Sequence, residues 1–314
     1  MSPLKIVYMG TPSFAVPTLQ ALIEEGHEIV GVFCQPDKQS GRGKKIQKPP
    51  VKEVALSHNL SVYQPVTLRD SKTEELLKSL APDLIVVVAY GKILPPWLIA
   101  LPKYGCINVH ASILPSYRGP APIHWAILNG DTETGVTIMK MDNGLDTGDI
   151  LYIHRVMIDE KETTGELFHK LSILGGSCIN KVISDYVGGK LIPTPQDHDK
   201  ATFTNKITKD MGRISWKDSA RNIVNRIRAL NPAPGCYSFI NGKRLKIWEA
   251  TISDMPTTME KPGTILAVTK RSFVVLTGAG TIEITMVQPE NKKAVNAGDY
   301  CRGYQISKGL QFEE

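Results

Sequence analysis

The apolar positions in the first part of the chain alternate between short continuous runs and amphipathic stretches. Residues 4–9 and 28–34 are predicted strands, and residues 15–25 between them have the apolar spacing of a helix. Residues 83–89 form a continuous, valine-rich run, which predicts a parallel strand buried on both faces. Strands that alternate with helices in this way favour an α/β domain built on a doubly wound, mainly parallel, Rossmann-like sheet.

The same alternation continues as far as residue 187. Helices are predicted over residues 51–59, 72–79, 121–129 and 164–187, and strands over residues 61–63, 106–110, 136–141 and 150–156. We therefore predict that residues 1–188 form one α/β domain, which is the expected location of any catalytic chemistry.

The pattern changes after residue 188. Residues 189–208 are polar and contain two prolines, which predicts a linker wrapped on the surface. Residues 216–230 have the spacing of an amphipathic helix. From Cys236 onward, short β-branched and aromatic runs are separated by turn signals such as Asn-Gly, which favours an OB-like antiparallel barrel of about five strands. Residues 209–314 are therefore predicted to form a second domain.

Charge is divided unevenly between these two parts. Residues 1–208 contain 21 basic and 21 acidic side chains, whereas residues 209–314 contain 16 and 10, so the formal excess of +6 lies in the last third. A domain with this bias is a candidate for contact with a polyanion. A solvated basic surface without a partner explains the same numbers equally well.

Composition excludes several classes of protein. The 314 residues are 42% hydrophobic and 22% charged, which is typical of folded domains. The longest apolar run, residues 84–90, is far shorter than the roughly 20 residues that span a bilayer, and the first residues lack a signal-peptide cleavage site. We expect a cytoplasmic protein without membrane association. The five cysteines are widely spread, so neither a disulfide framework nor a zinc site is predicted.

Asn108 and His110 are the first candidates for catalysis. They lie two residues apart on a predicted strand, so their side chains point to the same side. The loop at the carboxyl end of a parallel strand is where open α/β sheets bind ligands. A single histidine is more often a structural residue, and the pair alone does not decide between these interpretations.

Asp146 is the third candidate, in the loop Gly-Leu-Asp-Thr-Gly-Asp between two predicted strands. A carboxylate from this loop could orient and polarise an imidazole. The alternative is an ordinary hairpin turn, since turns favour aspartate and glycine. The spacing of the nearby aspartates is not that of a calcium loop, so no metal is expected.

Residues 35–50, QPDKQSGRGKKIQKPP, are strongly basic and rich in proline and glycine, so they are predicted to lack regular structure. The basic residues are Lys38, Arg42, Lys44, Lys45 and Lys48. A flexible basic loop after a strand can bind phosphates and become ordered on binding. An isolated charge cluster is also typical of a solvated loop, but the basic last third of the chain adds weight to a nucleic-acid partner.

Three segments are more specific than these patterns. They are GTPSFAVPTLQALIEEGHEIVGVFCQPDKQSGRGKK, PDLIVVVAYGKILP and GCINVHASILPSYRGPAPIHWAILNGDTETGVTIMKMDNGLDTGDI. With them, the chain resembles the bacterial methionyl-tRNA formyltransferases, and the similarity extends to the C-terminal segments WKDSARNIVNRIRALNPAPGCYSF and DYCRGYQISKGLQF. The NVHxSxLPxxRG and LDxGDI blocks are shared by formyltransferases that use 10-formyltetrahydrofolate, whereas GRGKK and the C-terminal domain are typical of tRNA-acting members.

The resemblance implies an enzyme that transfers a formyl group from 10-formyltetrahydrofolate to the α-amino group of methionine on initiator tRNA. Asn108 would bind the formyl oxygen as it becomes negative. His110 would stabilise the intermediate and assist proton transfer, and Asp146 would set the orientation and protonation of His110. No metal is implied, and we expect a cytoplasmic monomer.

The resemblance also implies which residues contact the two substrates. The implied folate-binding residues are Ser112, Ile113, Leu114, Pro115, Tyr90, Gly91, Ile93 and Leu94. The implied tRNA-binding residues are Lys38, Arg42, Lys44, Lys45 and Lys48, with Arg42 placed to read the unpaired end of the tRNA. The C-terminal barrel would hold the tRNA backbone.

Three alternatives share part of this sequence pattern. One is a formyltransferase for a small amine, such as a sugar nucleotide, against which the basic loop and basic C-terminal domain argue. Another is a hydrolase that releases formate from the folate. The third is an RNA-binding protein that has lost catalysis, but Asn108, His110 and Asp146 are all present.

Overall fold

The computed structural model describes residues 3–40 and 45–313. In chain order, its helices and strands are β1 (Lys5–Gly10), α1 (Val16–Glu24), β2 (Glu28–Phe33), β3 (Lys38–Ser40), β4 (Lys45–Gln47), α2 (Pro50–Ser57), β5 (Val62–Tyr63), α3 (Ser71–Leu80), β6 (Leu84–Val88), α4 (Pro96–Ile99), β7 (Cys106–His110), α5 (Pro122–Asn129), β8 (Glu133–Lys140), β9 (Ile150–Met157), α6 (Thr164–Val187), α7 (Ala220–Ala229), β10 (Cys236–Ile240), β11 (Lys243–Ser253), β12 (Ile265–Val268), β13 (Phe273–Leu276), β14 (Thr281–Pro289), β15 (Val295–Asn296) and α8 (Ala297–Tyr304).

The chain divides into two compact units. The first comprises Met1–Gly119, Thr134–Val156 and Phe168–Thr204, and the second comprises Pro120–Glu133, Met157–Leu167 and Asn205–Glu314. Two short segments from the middle of the chain therefore fold with the C-terminal part, and α5 packs against α7 within the second unit. The domain bounds 1–188, 189–208 and 209–314 stay a prediction.

The first unit is built on a mixed sheet in which seven strands are described, in the order β5-β2-β1-β6-β7-β8-β9. The strands β5, β2, β1, β6 and β7 are parallel, and β8 is antiparallel to β7. All five residues of β6 are buried, as its continuous apolar run predicts. The predicted mainly parallel, Rossmann-like sheet is confirmed.

The strand order places a reversal between β1 and β6. From β1 the chain moves outward through β2 to β5, then returns to the other side of β1 with β6 and β7. Open α/β sheets bind ligands outside the carboxyl ends of the strands at such a reversal. The carboxyl end of β7, where His110 lies, is one strand away from this point.

The segment 35–50 differs from its prediction. Its described residues include the antiparallel pair β3 and β4, with Lys38 opposite Gln47, so the expectation of no regular structure is wrong. The prolines of this segment stand outside the two strands and leave every backbone N–H within them available for the ladder. Residues 41–44 lie outside the described residues, and the predictions for Arg42 and Lys44 fall there.

The second unit contains an antiparallel sheet in which six strands are described, in the order β10-β11-β14-β13-β12, with β15 paired to β14. This agrees with the predicted OB-like domain. Its core is formed by side chains that include Trp216, Ile223, Ile227, Ile247, Phe273 and Phe312. Helix α7 begins at Ala220, later than predicted, because the Ser219 side chain caps it by accepting the N–H of Asn222.

Candidate active site

Strand β7 carries Asn108 and His110 to the carboxyl edge of the sheet. Asn108 is opposite Val87 of β6 and Met139 of β8, and His110 is opposite Thr137. His110 is buried, with 8% of its side chain exposed, whereas Asn108 is half-buried. The two side chains share one side of the strand, as the period-two spacing predicts.

The imidazole of His110 lies between two other chain segments. Its Nε2 atom is 3.0 Å from the carbonyl oxygen of Tyr117. A carbonyl oxygen only accepts hydrogen bonds. Nε2 therefore carries the ring proton and donates a hydrogen bond to the Tyr117 carbonyl. Nδ1 is 3.8 Å from Oδ2 of Asp146. In the neutral ring, Nδ1 is therefore the nitrogen with the free lone pair, and it faces a carboxylate.

Asp146 is fixed by its own backbone conformation and by the 112–119 loop. Its φ angle of 54° lies in the left-handed region, which non-glycine residues occupy infrequently. Its Oδ2 atom accepts the backbone N–H of Gly119 at 2.8 Å. The loop between β8 and β9 thus brings a carboxylate to 3.8 Å from His110.

Asn108 retains unused hydrogen-bonding capacity. Within residues 3–40 and 45–313, its side-chain amide has no hydrogen-bond partner. An amide offers two N–H donors and a carbonyl acceptor. Two donors are consequently available to a ligand beside His110.

The segment of residues 112–115 is held mainly by Thr137. The Thr137 hydroxyl donates to the carbonyl of Ser112 at 2.6 Å and accepts the N–H of Leu114 at 3.1 Å. The Ser112 hydroxyl is itself used, because it donates to the carbonyl of Ser116 at 2.6 Å. Ser112 and Leu114 are buried, and Ile113 and Pro115 are half-buried. Only the latter two offer side-chain surface to a ligand.

Residues 90–94 form the loop that follows β6. The Tyr90 carbonyl accepts hydrogen bonds from the Thr11 hydroxyl at 3.1 Å and from the Gln35 amide at 3.0 Å, which connects this loop to the ends of β1 and β2. The Tyr90 ring is buried, and burial raises the pKa of its hydroxyl. Leu94 is buried, whereas Ile93 is 81% exposed.

The base of the hairpin formed by β3 and β4 is held by an ion pair and a hydrogen bond. The Lys52 ammonium of α2 lies 2.8 Å from Oδ2 of Asp37, and the Gln64 amide donates to Oδ1 of Asp37 at 2.7 Å. These contacts lower the pKa of Asp37. Lys38 and Lys48 are exposed, so their ammonium groups face solvent.

Sequence reasoning missed two buried polar residues near Asp146, namely Arg118 and Gln196. The Gln196 amide bonds both to the Asp146 loop and to the Arg118 guanidinium. Gln196 lies in the segment predicted to be a surface linker, and nothing local distinguishes it from its polar neighbours. The sequence LPSYRG contains Arg118, but nothing in that sequence predicts that its side chain is buried.

Neither a metal site nor a membrane-spanning helix is found among the described residues. Within them, no group of three or more His, Cys, Asp or Glu side chains is arranged to hold a metal ion. Of the helices in the described ranges, none is long and apolar enough to cross a membrane.

Family models match both parts of the chain. Residues 4–183 match the formyl transferase family, and residues 206–305 match the formyl transferase C-terminal domain. A similar solved structure is the N-formyltransferase from Helicobacter canadensis in complex with folinic acid and dTDP-3-aminofucose. It has a TM-score of 0.68 and 21% identity, with 91% of this chain and 99% of that chain covered. The chain therefore belongs to the formyl transferase family.

Curated relatives indicate which kind of formyltransferase this chain is similar to. Methionyl-tRNA formyltransferase from Alkaliphilus oremlandii is 48% identical over 306 residues, which cover 98% of both chains. The enzyme of the same name from Bacillus subtilis is 44% identical over 306 residues, covering 97% of this chain and 96% of the relative. The chain belongs to the methionyl-tRNA formyltransferase family.

Proposed function

We propose that this chain transfers the formyl group of 10-formyltetrahydrofolate to the α-amino group of methionine attached to initiator tRNA. Its full-length similarity to methionyl-tRNA formyltransferases supports this reaction. The observation that carries the chemistry is the convergence of the Asn108 amide, the His110 imidazole and the Asp146 carboxylate at the carboxyl edge of the sheet. The product is the formylmethionyl-tRNA with which translation starts.

Proton removal is the first requirement of this reaction. A free α-amino group has a pKa of about 7.7–8.0, so a large fraction is charged at neutral pH and is not nucleophilic. In our proposal, Nδ1 of His110 accepts this proton, because Nε2–H is already donated to Tyr117. The Asp146 carboxylate 3.8 Å away then stabilises the imidazolium.

The bond changes balance without another reactant. The amine nitrogen attacks the formyl carbon, a C–N bond forms, and the carbonyl oxygen becomes negative. Asn108 donates N–H to this oxygen, a contribution whose loss typically costs about 2.7–4 kcal/mol in other enzymes. Collapse breaks the bond between the formyl carbon and N10 of the folate, and N10 receives the proton held at Nδ1 of His110. The attacking nitrogen releases its second proton to solvent, which leaves a neutral formamide.

Recognition of tRNA is assigned to two basic surfaces. One is the segment 35–50, in which Lys38 and Lys48 are exposed, and Arg42, Lys44 and Lys45 are assigned to it from the sequence. The other is the second unit, which contains all 16 basic residues of positions 209–314. On its β10–β11 surface the Arg244 guanidinium lies 3.7 Å above the Tyr237 ring. Cations beside aromatic rings are typical of RNA-contacting surfaces.

We infer that the enzyme acts as a monomer in the cytoplasm, where charged tRNA and folate are both present. The folate contacts are assigned to residues 90–94 and 112–115, with Ile113, Pro115 and Ile93 providing exposed or half-buried apolar surface. Ser112 and Leu114 support this segment from within. No metal takes part in the proposed reaction.

A formylation assay tests the proposal directly. Purified protein is incubated with 10-formyltetrahydrofolate and methionine-charged initiator tRNA, and formylmethionine is measured. Charged elongator tRNA and free methionine serve as controls. We expect formylation of initiator tRNA alone. Formate release without an acceptor, or formylation of a sugar nucleotide instead of the tRNA, would contradict the proposed substrate.

A further inference from the structure

Gln196 connects the two loops that contact His110. Its Nε2 atom donates to the backbone oxygens of Asp146 at 2.9 Å and Gly148 at 2.7 Å. Its Oε1 atom accepts from the Arg118 guanidinium, from Nε at 3.1 Å and from Nη2 at 2.7 Å. A glutamine side chain has two N–H donors and two acceptor sites, and all four are used here.

The residues joined in this way flank the imidazole on both sides. Arg118 directly follows Tyr117, whose carbonyl holds Nε2 of His110. Asp146 supplies the carboxylate opposite Nδ1. We propose that Gln196 is a positioning residue for formyl transfer, which acts through Asp146 and Arg118 to hold the two groups that orient His110. This inference rests on the proposed function.

Burial of Arg118 determines how Gln196 is oriented. Arg118 is 3% exposed, and within the described part of the chain no carboxylate pairs with it. Its guanidinium therefore depends on neutral acceptors, namely Oε1 of Gln196 and Nδ1 of His198 at 3.0 Å. Because a guanidinium can only donate, the amide oxygen must face Arg118, and the NH₂ group must face Asp146 and Gly148.

The Asp146 loop needs such support. Asp146 has a φ angle of 54°, and a non-glycine residue in this region persists when its surroundings hold it there. Two contacts from outside its own loop do so, one from the Gly119 N–H to its carboxylate and one from Gln196 to its carbonyl. Gln196 is itself 5% exposed, so water does not readily replace its hydrogen bonds.

The variant Gln196→Glu separates positioning from simple structural support. A glutamate keeps the acceptors for Arg118 and adds a favourable charge, but it loses both N–H donors and places a carboxylate against the oxygens of Asp146 and Gly148. If Gln196 only accepts hydrogen bonds from Arg118, this variant will retain wild-type kcat. If Gln196 positions Asp146, kcat will fall about 10- to 100-fold, as displacements of catalytic groups typically cause.

The experiment measures kcat and KM for both substrates, with the melting temperature as a check on folding. Gln20→Glu, on the exposed side of α1, is the matched control for an added negative charge. We expect Gln196→Glu to lower kcat with little change in KM, and Gln20→Glu to behave as wild type. Wild-type kcat in Gln196→Glu would overturn the inference.

A double mutant identifies the route of the effect. In an Asp146→Ala background, Gln196→Glu is expected to cause little further loss, because the residue through which it acts has already been removed. The same fold-loss in both backgrounds would show that Gln196 does not act through Asp146. This cycle is informative even if Gln196→Glu alters the stability of the chain modestly.

A spectroscopic measurement keeps this test independent of the proposed reaction. The ¹⁵N resonances of the His110 ring report whether Nε2 donates a hydrogen bond and how Nδ1 is surrounded. We expect them to shift in Gln196→Glu and to stay unchanged in Gln20→Glu. Inactive wild-type protein would refute the proposed function, whereas unchanged His110 resonances would refute the positioning role alone.

Discussion

Nδ1 of His110 lies 3.8 Å from Oδ2 of Asp146. This distance is too long for a good hydrogen bond but lies within the range of an ion pair. The carboxylate therefore interacts most strongly with the ring when Nδ1 is protonated. Because both side chains are largely buried, solvent screens this interaction less than it would at the surface. In the proposed reaction, this is the state of the ring after it has accepted the proton of the α-amino group.

Removal of the imidazole tests this role. We expect His110→Ala to lower kcat about 10²- to 10⁴-fold, the usual contribution of a positioned acid or base, while tRNA affinity changes little. Single-turnover formylation and filter binding measure the two quantities separately. An unchanged rate would exclude His110 from the mechanism, and a matching loss of tRNA affinity would point to a binding role instead.

Asp146→Asn separates the charge of Asp146 from its shape. The amide oxygen of asparagine can still accept the Gly119 N–H, so the loop is expected to keep its place. The charge opposite His110 is lost, and kcat is expected to fall about tenfold or more, or about 1.4 kcal/mol of transition-state stabilisation. Steady-state kinetics with melting temperatures measure both effects. A large loss of stability with unchanged kcat would assign Asp146 a structural role.

Salt dependence tests the basic surface of the second unit. Lys246 lies beside the ring of Trp248, next to the pair of Arg244 and Tyr237. We expect Arg244→Ala combined with Lys246→Ala to reduce the salt slope of tRNA binding by about one for each phosphate that is no longer neutralised, with kcat at saturating tRNA retained. Binding titrations over a range of salt concentrations give the slope.

Lys78→Ala is the matched control, since Lys78 is an exposed lysine of the first unit that pairs with Glu74. An identical slope in the double variant and in this control would remove Arg244 and Lys246 from the tRNA interface. Deletion of residues 209–314 is a poorer test. The deletion would remove α7, against which α5 packs in the second unit.

His27 predicts a pH dependence of stability. Its Nδ1 accepts the N–H of Leu4 at 3.2 Å, and burial lowers its pKa below the ordinary value of 6.5. The unfolded chain therefore binds this proton at a higher pH than the folded chain does. The contribution of His27 to the free energy of unfolding is present above pH 6.5 and is lost as the pH falls below it.

Urea unfolding at pH 7.5, 6.5 and 5.5 measures this effect. We expect the free energy of unfolding of wild type to fall over this range, and that of His27→Gln to fall less steeply. Carboxylates with lowered pKa, such as Asp37 and Asp70, titrate below this window and do not interfere. His124 has a lowered pKa as well and is retained in both proteins, so the difference isolates His27. Parallel curves would contradict the prediction.

The sequence by itself determined the elements of the first sheet and the shared orientation of Asn108 and His110. Both follow from local periodicity, because burial of one or both faces of a strand constrains each residue according to its immediate neighbours. The resemblance of the NVHxSxLPxxRG and LDxGDI segments to formyltransferases indicated formyl transfer as the reaction. None of these inferences required knowledge of which loops meet in space.

Tertiary structure alone showed that the Tyr117 carbonyl binds His110 and that Gln196 contacts the Asp146 loop, whereas the resemblance had already paired Asp146 with His110. Asp146, Tyr117 and Gln196 come from separate loops, and their hydrogen bonds depend on how those loops pack at the edge of the sheet. The β3–β4 pairing also lay beyond the sequence pattern, because proline, glycine and lysine disfavour strands locally. Periodicity encodes which face of an element is buried, but a polar side chain finds its partner only when distant segments are brought together.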